Sequence, residues 1–415
     1  MIQYKKEILK NGLTVVVNRD CHSKLAAVNL LYKIGAKNEN PARTGFAHLF
    51  EHLMFRGTEL IPDFDTPVQM ACGENNAFTN NDYTDFYITL PKDNLETALW
   101  LESDRMVGLQ ITDEVLETEK RVVIEEFKQR FINQPYGDQM ALLRGLCYRV
   151  HPYRWSTIGL EPSHVENASL EDVKEFYKSY YRPSNAILSI SCDMEEEEMI
   201  SLAKRWFEDI PDSGDMQKPP IEREPVQSEP RRAIVERDVP ATSIMMAFHM
   251  GDRLSKEFYY ADLATDLLAG GDSARLYDAL VRRRGLFSTV NAYILGSVDQ
   301  GLFILSGQLL PTTSEEEAEE ALLGEARMLC SSENISDYEL EKVKNKFEAN
   351  TLFGELNVMN KAMNLGFYEM LGDLELINKE VDIFRSVTKE QVASFCRNTL
   401  TDSGCSTLIY RAKNR

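Results

Sequence analysis

Six histidines occur in the 415 residues, and two of them stand four apart in His48-Leu49-Phe50-Glu51-His52. Residues four apart share a face of a helix, so His48 and His52 can present two imidazole nitrogens to one ion. Glu51, beside His52, can reach a water on that ion without occupying the metal. Zinc accepts imidazole and carboxylate ligands, and its catalytic sites need a third protein ligand and an open position for water. The chemistry such a set serves is hydrolysis. The metal lowers the pKa of a water and polarises a carbonyl, and the carboxylate takes the proton. Two core histidines on an amphipathic helix are the other reading. It suits a lone histidine better than a pair with an intervening glutamate in so His-poor a chain.

The third ligand must come from another element. Thr112 to Gln129 (TDEVLETEKRVVIEEFKQ) reads as a helix capped by Thr112. Glu119 and Glu126 fall with Val115 and Val122 at i, i+4, i+7 and i+11, a stripe expected to face the core. Carboxylates on such a stripe must be neutralised. A zinc ion or buried arginines would each do so, and the spacing leaves the two open. Glu125 points about a quarter-turn away, toward solvent. The helix carrying the histidines is expected over Thr44 to Gly57 (TGFAHLFEHLMFRG), with Thr44 as its cap and Gly57 at its end.

Around these elements the chain reads as one unit used twice. Leu25 to Gly35 (LAAVNLLYKIG) is echoed by Thr242 to Gly251, Thr112-Asp113 by Ser336-Asp337, and Ser169 to Tyr177 by Thr388 to Cys396. The offsets, from Gly35 to Gly251, Thr112 to Ser336 and Ser169 to Thr388, are 216, 224 and 219 residues. Near-equal offsets in three separate segments point to a duplication. Between the copies, Pro211 to Arg232 holds five of the fifteen prolines among polar residues and reads as a linker. The expected division is residues 1–211, a linker at 212–232, and residues 233–415. Helical and β-rich runs alternate without βαβ regularity, so the expected fold class is α+β, two homologous halves with largely antiparallel sheets flanked by helices.

Composition excludes several classes. At 43% hydrophobic and 27% charged, the chain is that of a globular protein. A formal charge of −20 argues against nucleic acid as a partner. Seven scattered cysteines without a C-x-x-C pair argue against a disulfide framework and a thiolate metal cage. No apolar run of about 18 residues or more predicts a membrane-spanning helix. The start holds only the short run Leu13 to Val17, too short for a signal-peptide core, so the expected location is cytoplasmic. The acidic runs Glu195 to Glu198 and Glu315 to Glu320 read as solvated helix faces.

H-x-x-E-H is the inverted zincin signature. Over nearly its full length the chain resembles the pitrilysin/insulinase family of metallopeptidases, in particular the short branch that includes mitochondrial processing peptidase. GFAHLFEHLMFRGT matches the family pattern, as does a helix reading E-x-x-V-V-x-x-E from Glu119 to Glu126, whose last residue lies 74 positions beyond His52. The resemblance implies Zn2+ held by His48, His52 and Glu126, Glu51 as the catalytic base, and Glu119 orienting a ligand. It implies that Asn76, Ala77, Phe78 and Thr79 form an edge strand on which peptide substrate pairs, and that the two halves form a clamshell that admits only short or unfolded peptides.

The second copy departs from the metal pattern. Ala264 and Leu268 fall opposite His48 and His52, and Asn350 opposite Glu126. Active members of the family usually carry an Arg and a Tyr seven apart in the second half; here those positions hold Val281 and Ser288. The expected protein is therefore a zinc-dependent endopeptidase acting as the zinc-bearing subunit of a heterodimer, with a homologous partner supplying the Arg and Tyr, or else a homodimer. A non-catalytic structural or peptide-binding subunit is the alternative.

Overall fold

The computed structural model describes residues 1–212, 220–296 and 298–413. Residues 213–219 of the expected linker, Pro219 among them, lie outside the described residues.

The chain forms two compact units. The first comprises Met1–Phe127, Trp155–Ile221 and Thr351–Lys379. Its six strands are β1 (Lys5–Ile8), β2 (Thr14–Arg19), β3 (Leu25–Tyr32), β4 (Glu74–Thr79), β5 (Thr84–Pro91) and β6 (Ala186–Cys192), in the spatial order β1-β2-β6-β3-β5-β4. The second comprises Lys128–Arg154, Glu222–Asn350 and Glu380–Arg415. Its five strands are β7 (Arg231–Arg237), β8 (Ser243–His249), β9 (Phe287–Leu295), β10 (Leu302–Leu309) and β11 (Cys405–Ala412), in the order β7-β11-β8-β10-β9. Matching β2, β6, β3, β5 and β4 to β7, β11, β8, β10 and β9 makes the two orders identical, with β1 an addition to the first. Each sheet has one parallel pair, β2 with β6 and β7 with β11, and is otherwise antiparallel. The α+β class and the duplication are both visible in this match. The repeat extends to caps: Ser169 and Thr388 open the equivalent helices Leu170–Tyr180 and Lys389–Thr399 with capping boxes to Asp172 and Gln391.

The compact units do not follow the chain. The first takes 351–379 from beyond the linker and the second takes 128–154 from before it. The exchanged segments are equivalents, since their first residues (128 and 351) stand 223 apart and their last (154 and 379) 225 apart. Side-chain matching explains why each stays where it does. Helix Val358–Leu371 sets Val358 and Ala362 against Ala27 of β3. Its Gly366 lies so near the sheet that a Cβ there would meet Ser189 Oγ at 2.8 Å and Asn29 Nδ2 at 3.0 Å. Helix Gln139–Cys147 packs Leu143 and Cys147 with Met245, Ala247 and Leu408 of the second sheet.

Helix Phe46–Leu53 is strongly amphipathic, with Phe46, Leu49, Phe50 and Leu53 buried. Phe50 stacks on Phe176 and Tyr181 at 5.2 and 5.1 Å between ring centroids. Burying an apolar side chain of this size contributes about 1.5–3 kcal/mol, so this stripe fixes the helix's rotation and turns His48, Glu51 and His52 to one side. Helix Asp113–Phe127 packs beside it. No helix among the described residues is long and apolar enough to cross a membrane.

Candidate metal centre

The helix bearing the histidines is shorter than expected, Phe46–Leu53 rather than Thr44 to Gly57. Its N-cap is Gly45, with φ 93°, not Thr44. Thr44 Oγ1 instead accepts the Leu160 N–H at 2.8 Å and meets His164 Nδ1 at 2.8 Å. Met54 is the C-cap, and Gly57 lies beyond it, where a Cβ would meet the Ile61 carbonyl oxygen at 2.5 Å. On the second helix Thr112 does cap, accepting the Val115 N–H at 3.2 Å. There the core stripe is Leu116, Glu119, Lys120 and Val123, not Val115 and Val122; Val122 is exposed. Glu119 is buried as expected and Glu126 is half-buried beyond it.

The two helices bring His48, His52 and Glu126 together, with one ligand atom of each lying within 4.8 Å of the others. Glu126 Oε2 is 3.7 Å from His48 Nε2 and 3.4 Å from His52 Nε2. Two ligands each at about 2.05 Å from a tetrahedral zinc stand about 3.3 Å apart, so the spacing and the donor types fit that ion. The imidazole planes cross at 74° with centroids 4.9 Å apart, so the rings do not block each other. Glu119 Oε2 lies 3.5 Å from His52 Nδ1, the nitrogen turned away from Glu126, and its other oxygen pairs with Arg56 Nη2 at 2.5 Å. Glu119 faces the half-exposed Arg56 and the His52 imidazole, and Glu126 faces the two imidazoles.

The electrostatics favour positive charge. Burial pulls the His52 pKa down, but Glu119 and Glu126 outweigh it and raise it to about 9. Burial likewise pushes the Glu119 carboxyl up, and His52 and Arg56 bring it below its ordinary value. A cavity of about 350 Å³ opens beside the cluster, lined by Glu51, His52, Phe55, Arg56, Asp65 and Glu119. Glu51 is therefore on the same cavity as His52 without belonging to the three-ligand group. The arrangement can hold a divalent cation, leave it open to a water, and set a carboxylate beside that water. Arg56 was missed by sequence reasoning, although it follows His52 by four residues.

Asn76, Ala77, Phe78 and Thr79 lie in β4, the edge of the first sheet, which pairs with β5 on one side. The Ala77 N–H is taken by the Asn76 side-chain oxygen at 2.8 Å. In the second unit Ala264 and Leu268 sit fully buried in the hydrophobic core on helix Lys256–Ala269, so the positions opposite the histidines serve packing. Val281 packs against the same core. Ser288 is exposed and donates to the Gln308 carbonyl at 3.3 Å. Arg282 and Arg283 pair with Asp278, and Arg284 with Glu317.

Residues 14–139 match the family described as Insulinase (Peptidase family M16), and residues 167–347 match the Peptidase M16 inactive domain. Among curated proteins, the chain is 30% identical to the zinc protease PqqE of Helicobacter pylori over 347 residues, covering 82% of this chain and 78% of that protein. It is 21% identical to the uncharacterized zinc protease YmxG of Bacillus subtilis, covering 99% of both. Among solved structures, a protease from Helicobacter pylori superposes with a TM-score of 0.94 at 26% identity, over 99% of this chain and all of that one. A Pseudomonas fluorescens structure described as a peptidase M16 inactive domain shares the fold, with a TM-score of 0.88 at 17% identity over 99% and 98% of the two chains.

Proposed function

The chain belongs to the M16 peptidase family, and from that membership we propose that it is a zinc-dependent endopeptidase cleaving short or unfolded peptides. What carries the reading is the convergence of His48, His52 and Glu126 on one point, with Glu51 on the cavity that adjoins it. Zinc bound by His48, His52 and Glu126 would supply Lewis-acid chemistry, polarising the scissile carbonyl and lowering the pKa of a water. Glu51 accepts that water's proton and returns it to the leaving amine. His48 and His52 fix two ligand directions because one buried apolar stripe sets the rotation of both. Glu119 faces the His52 Nδ1 and leaves Nε2 turned toward Glu126, the side on which the metal would be held.

Substrate is read as extended backbone along β4 by strand addition, a mode that recognises main chain more than sequence. An incoming carbonyl replaces the Asn76 oxygen on the Ala77 N–H, and Thr79, two residues on, continues the pairing while Phe78 faces β5. Folded proteins are poor substrates on this reading because their backbone is already paired.

The chain acts as the zinc-bearing subunit of a heterodimer, with a homologous partner supplying the Arg and Tyr. Support comes from Val281 and Ser288 at those positions and from the engagement of Arg282, Arg283 and Arg284 with acidic neighbours. A structural or peptide-binding role without turnover is the competing reading, and it predicts no dependence on Glu51.

The test is metal analysis of the wild type, Glu126→Ala and Glu51→Gln, with hydrolysis of a quenched peptide. About one zinc per chain in the wild type and in Glu51→Gln, but not in Glu126→Ala, is the expected result. Glu51→Gln should bind peptide without cutting it. Turnover by Glu51→Gln at the wild-type rate would overturn the assignment of the base. Activity of the isolated wild-type chain at ordinary enzyme rates would remove the need for a partner.

A further inference from the structure

The histidine-bearing helix has only two turns, and its first residues lack a local cap. Gly45 at the N-cap has no side chain, its φ is 93°, and a Cβ there would meet the Ile158 carbonyl oxygen at 2.9 Å. Thr44 is engaged with Leu160 and His164. A helix this short does not hold its end by propensity alone, and unsatisfied N–H groups in a buried first turn are costly.

The groups are satisfied from six residues upstream. Glu39 Oε2 accepts the Gly45 N–H at 2.9 Å and Glu39 Oε1 accepts the Ala47 N–H at 2.8 Å. Glu39 is only 4% exposed, and Ala47 immediately precedes His48. Glu39 is itself held rigidly. It closes the turn Ala36–Asn38, where its own N–H and the Trp155 indole N–H both donate to the Ala36 carbonyl, at 3.3 and 2.9 Å. Trp155 is 1% exposed. Burial pushes the Glu39 carboxyl up to about 8, opposed by the N–H groups of Ala47, Gly45 and Phe46.

We infer that Glu39 is a positioning residue for the metal centre, whose buried side chain sets the first turn of the helix and thereby the aim of His48 relative to His52. The inference rests on the zinc reading above. Both carboxylate oxygens are used, one on each N–H. An amide cannot replace them, because its NH2 would face one of those donors. A ligand site must be held to about 0.5 Å to keep its geometry, and Glu39 accepts from two backbone donors at the start of this helix, Gly45 and Ala47.

The experiment measures zinc affinity by chelator competition and the visible spectrum of the cobalt(II)-loaded protein for the wild type, Glu39→Gln and Glu39→Asp. Thermal unfolding of the metal-free forms is followed in parallel. Glu39→Gln is expected to weaken zinc binding about tenfold or more, to change the cobalt spectrum, and to lower kcat at saturating zinc more than it raises KM. Glu39→Asp, which keeps the carboxyl one methylene short, should fall between, and it decides the matter if Glu39→Gln does not fold. A folded variant with wild-type zinc affinity and cobalt spectrum, whatever its melting temperature, would reduce Glu39 to a purely structural cap. A wild type that takes up no zinc fails the metal reading instead, and so the two failures are told apart.

Discussion

Glu119 is buried and lies outside the three-ligand group; it touches the far nitrogen of His52 and the Arg56 guanidinium. A group in that position tunes a ligand without binding the ion. Glu119→Gln is expected to weaken zinc affinity by about 10- to 100-fold while leaving the metal-free fold intact, since the amide can still accept from Arg56. Titration with a chromophoric chelator measures it, and unchanged affinity would make Glu119 an ordinary buried ion-pair partner. The residue types here were readable in advance because H-x-x-E-H constrains its own geometry. Arg56 and Glu39 were not, and for a physical reason. A partner reached through tertiary folding, or a carboxylate that bonds backbone N–H groups, leaves no periodic mark in the sequence.

At the scale of elements, the edge strand β4 gives a separable test. The Ala77 N–H is not committed to a backbone carbonyl but to the Asn76 side chain. Proline is tolerated on an edge strand when its missing N–H faces outward. Ala77→Pro should therefore keep the sheet and the zinc, yet raise KM by about 3- to 10-fold, the worth of one backbone hydrogen bond. Loss of zinc instead would mean that Ala77 supports the fold rather than the substrate. The elements themselves were legible where periodicity and capping agreed, as for the helices opened by Thr112, Ser169 and Thr388. They were misread where tertiary contacts prevailed. Thr44 has the chemistry of a cap but is drawn to Leu160 and His164, and the buried stripe of the Glu119 helix is rotated by one residue because it must face the histidine-bearing helix and its neighbours.

At the scale of the whole molecule, 66 acidic residues against 46 basic ones leave net repulsion at neutral pH that eases toward the isoelectric point near 4.9. Below that point, stability depends on the acids that are paired. Glu339 is one. Burial pushes its carboxyl up, but the paired Arg275 guanidinium and Ser336 bring it down to about 2. Its folded pKa lies below the unfolded value near 4.5, so its stabilising contribution is present above that value and is lost as pH falls toward about 2. Arg275→Gln should lower the melting temperature at pH 7 and converge on the wild type near pH 2; a constant difference at every pH would exclude this pair as its source. Duplication was legible in the repeat offsets, but the exchange of 128–154 and 351–379 was not, because two homologous sheets present similar faces and only side-chain fit selects between them. That exchange has a consequence in time. The last of the three clustered side chains is synthesised at residue 126, yet the unit that carries them is complete only at Lys379, 253 residues later (379 against 126). At about 5–20 residues per second, that is a wait of about 13 to 50 s on the ribosome. The first half emerges with one face of its sheet uncovered, and the usual order in which an N-terminal domain finishes before its successor begins is closed to this chain.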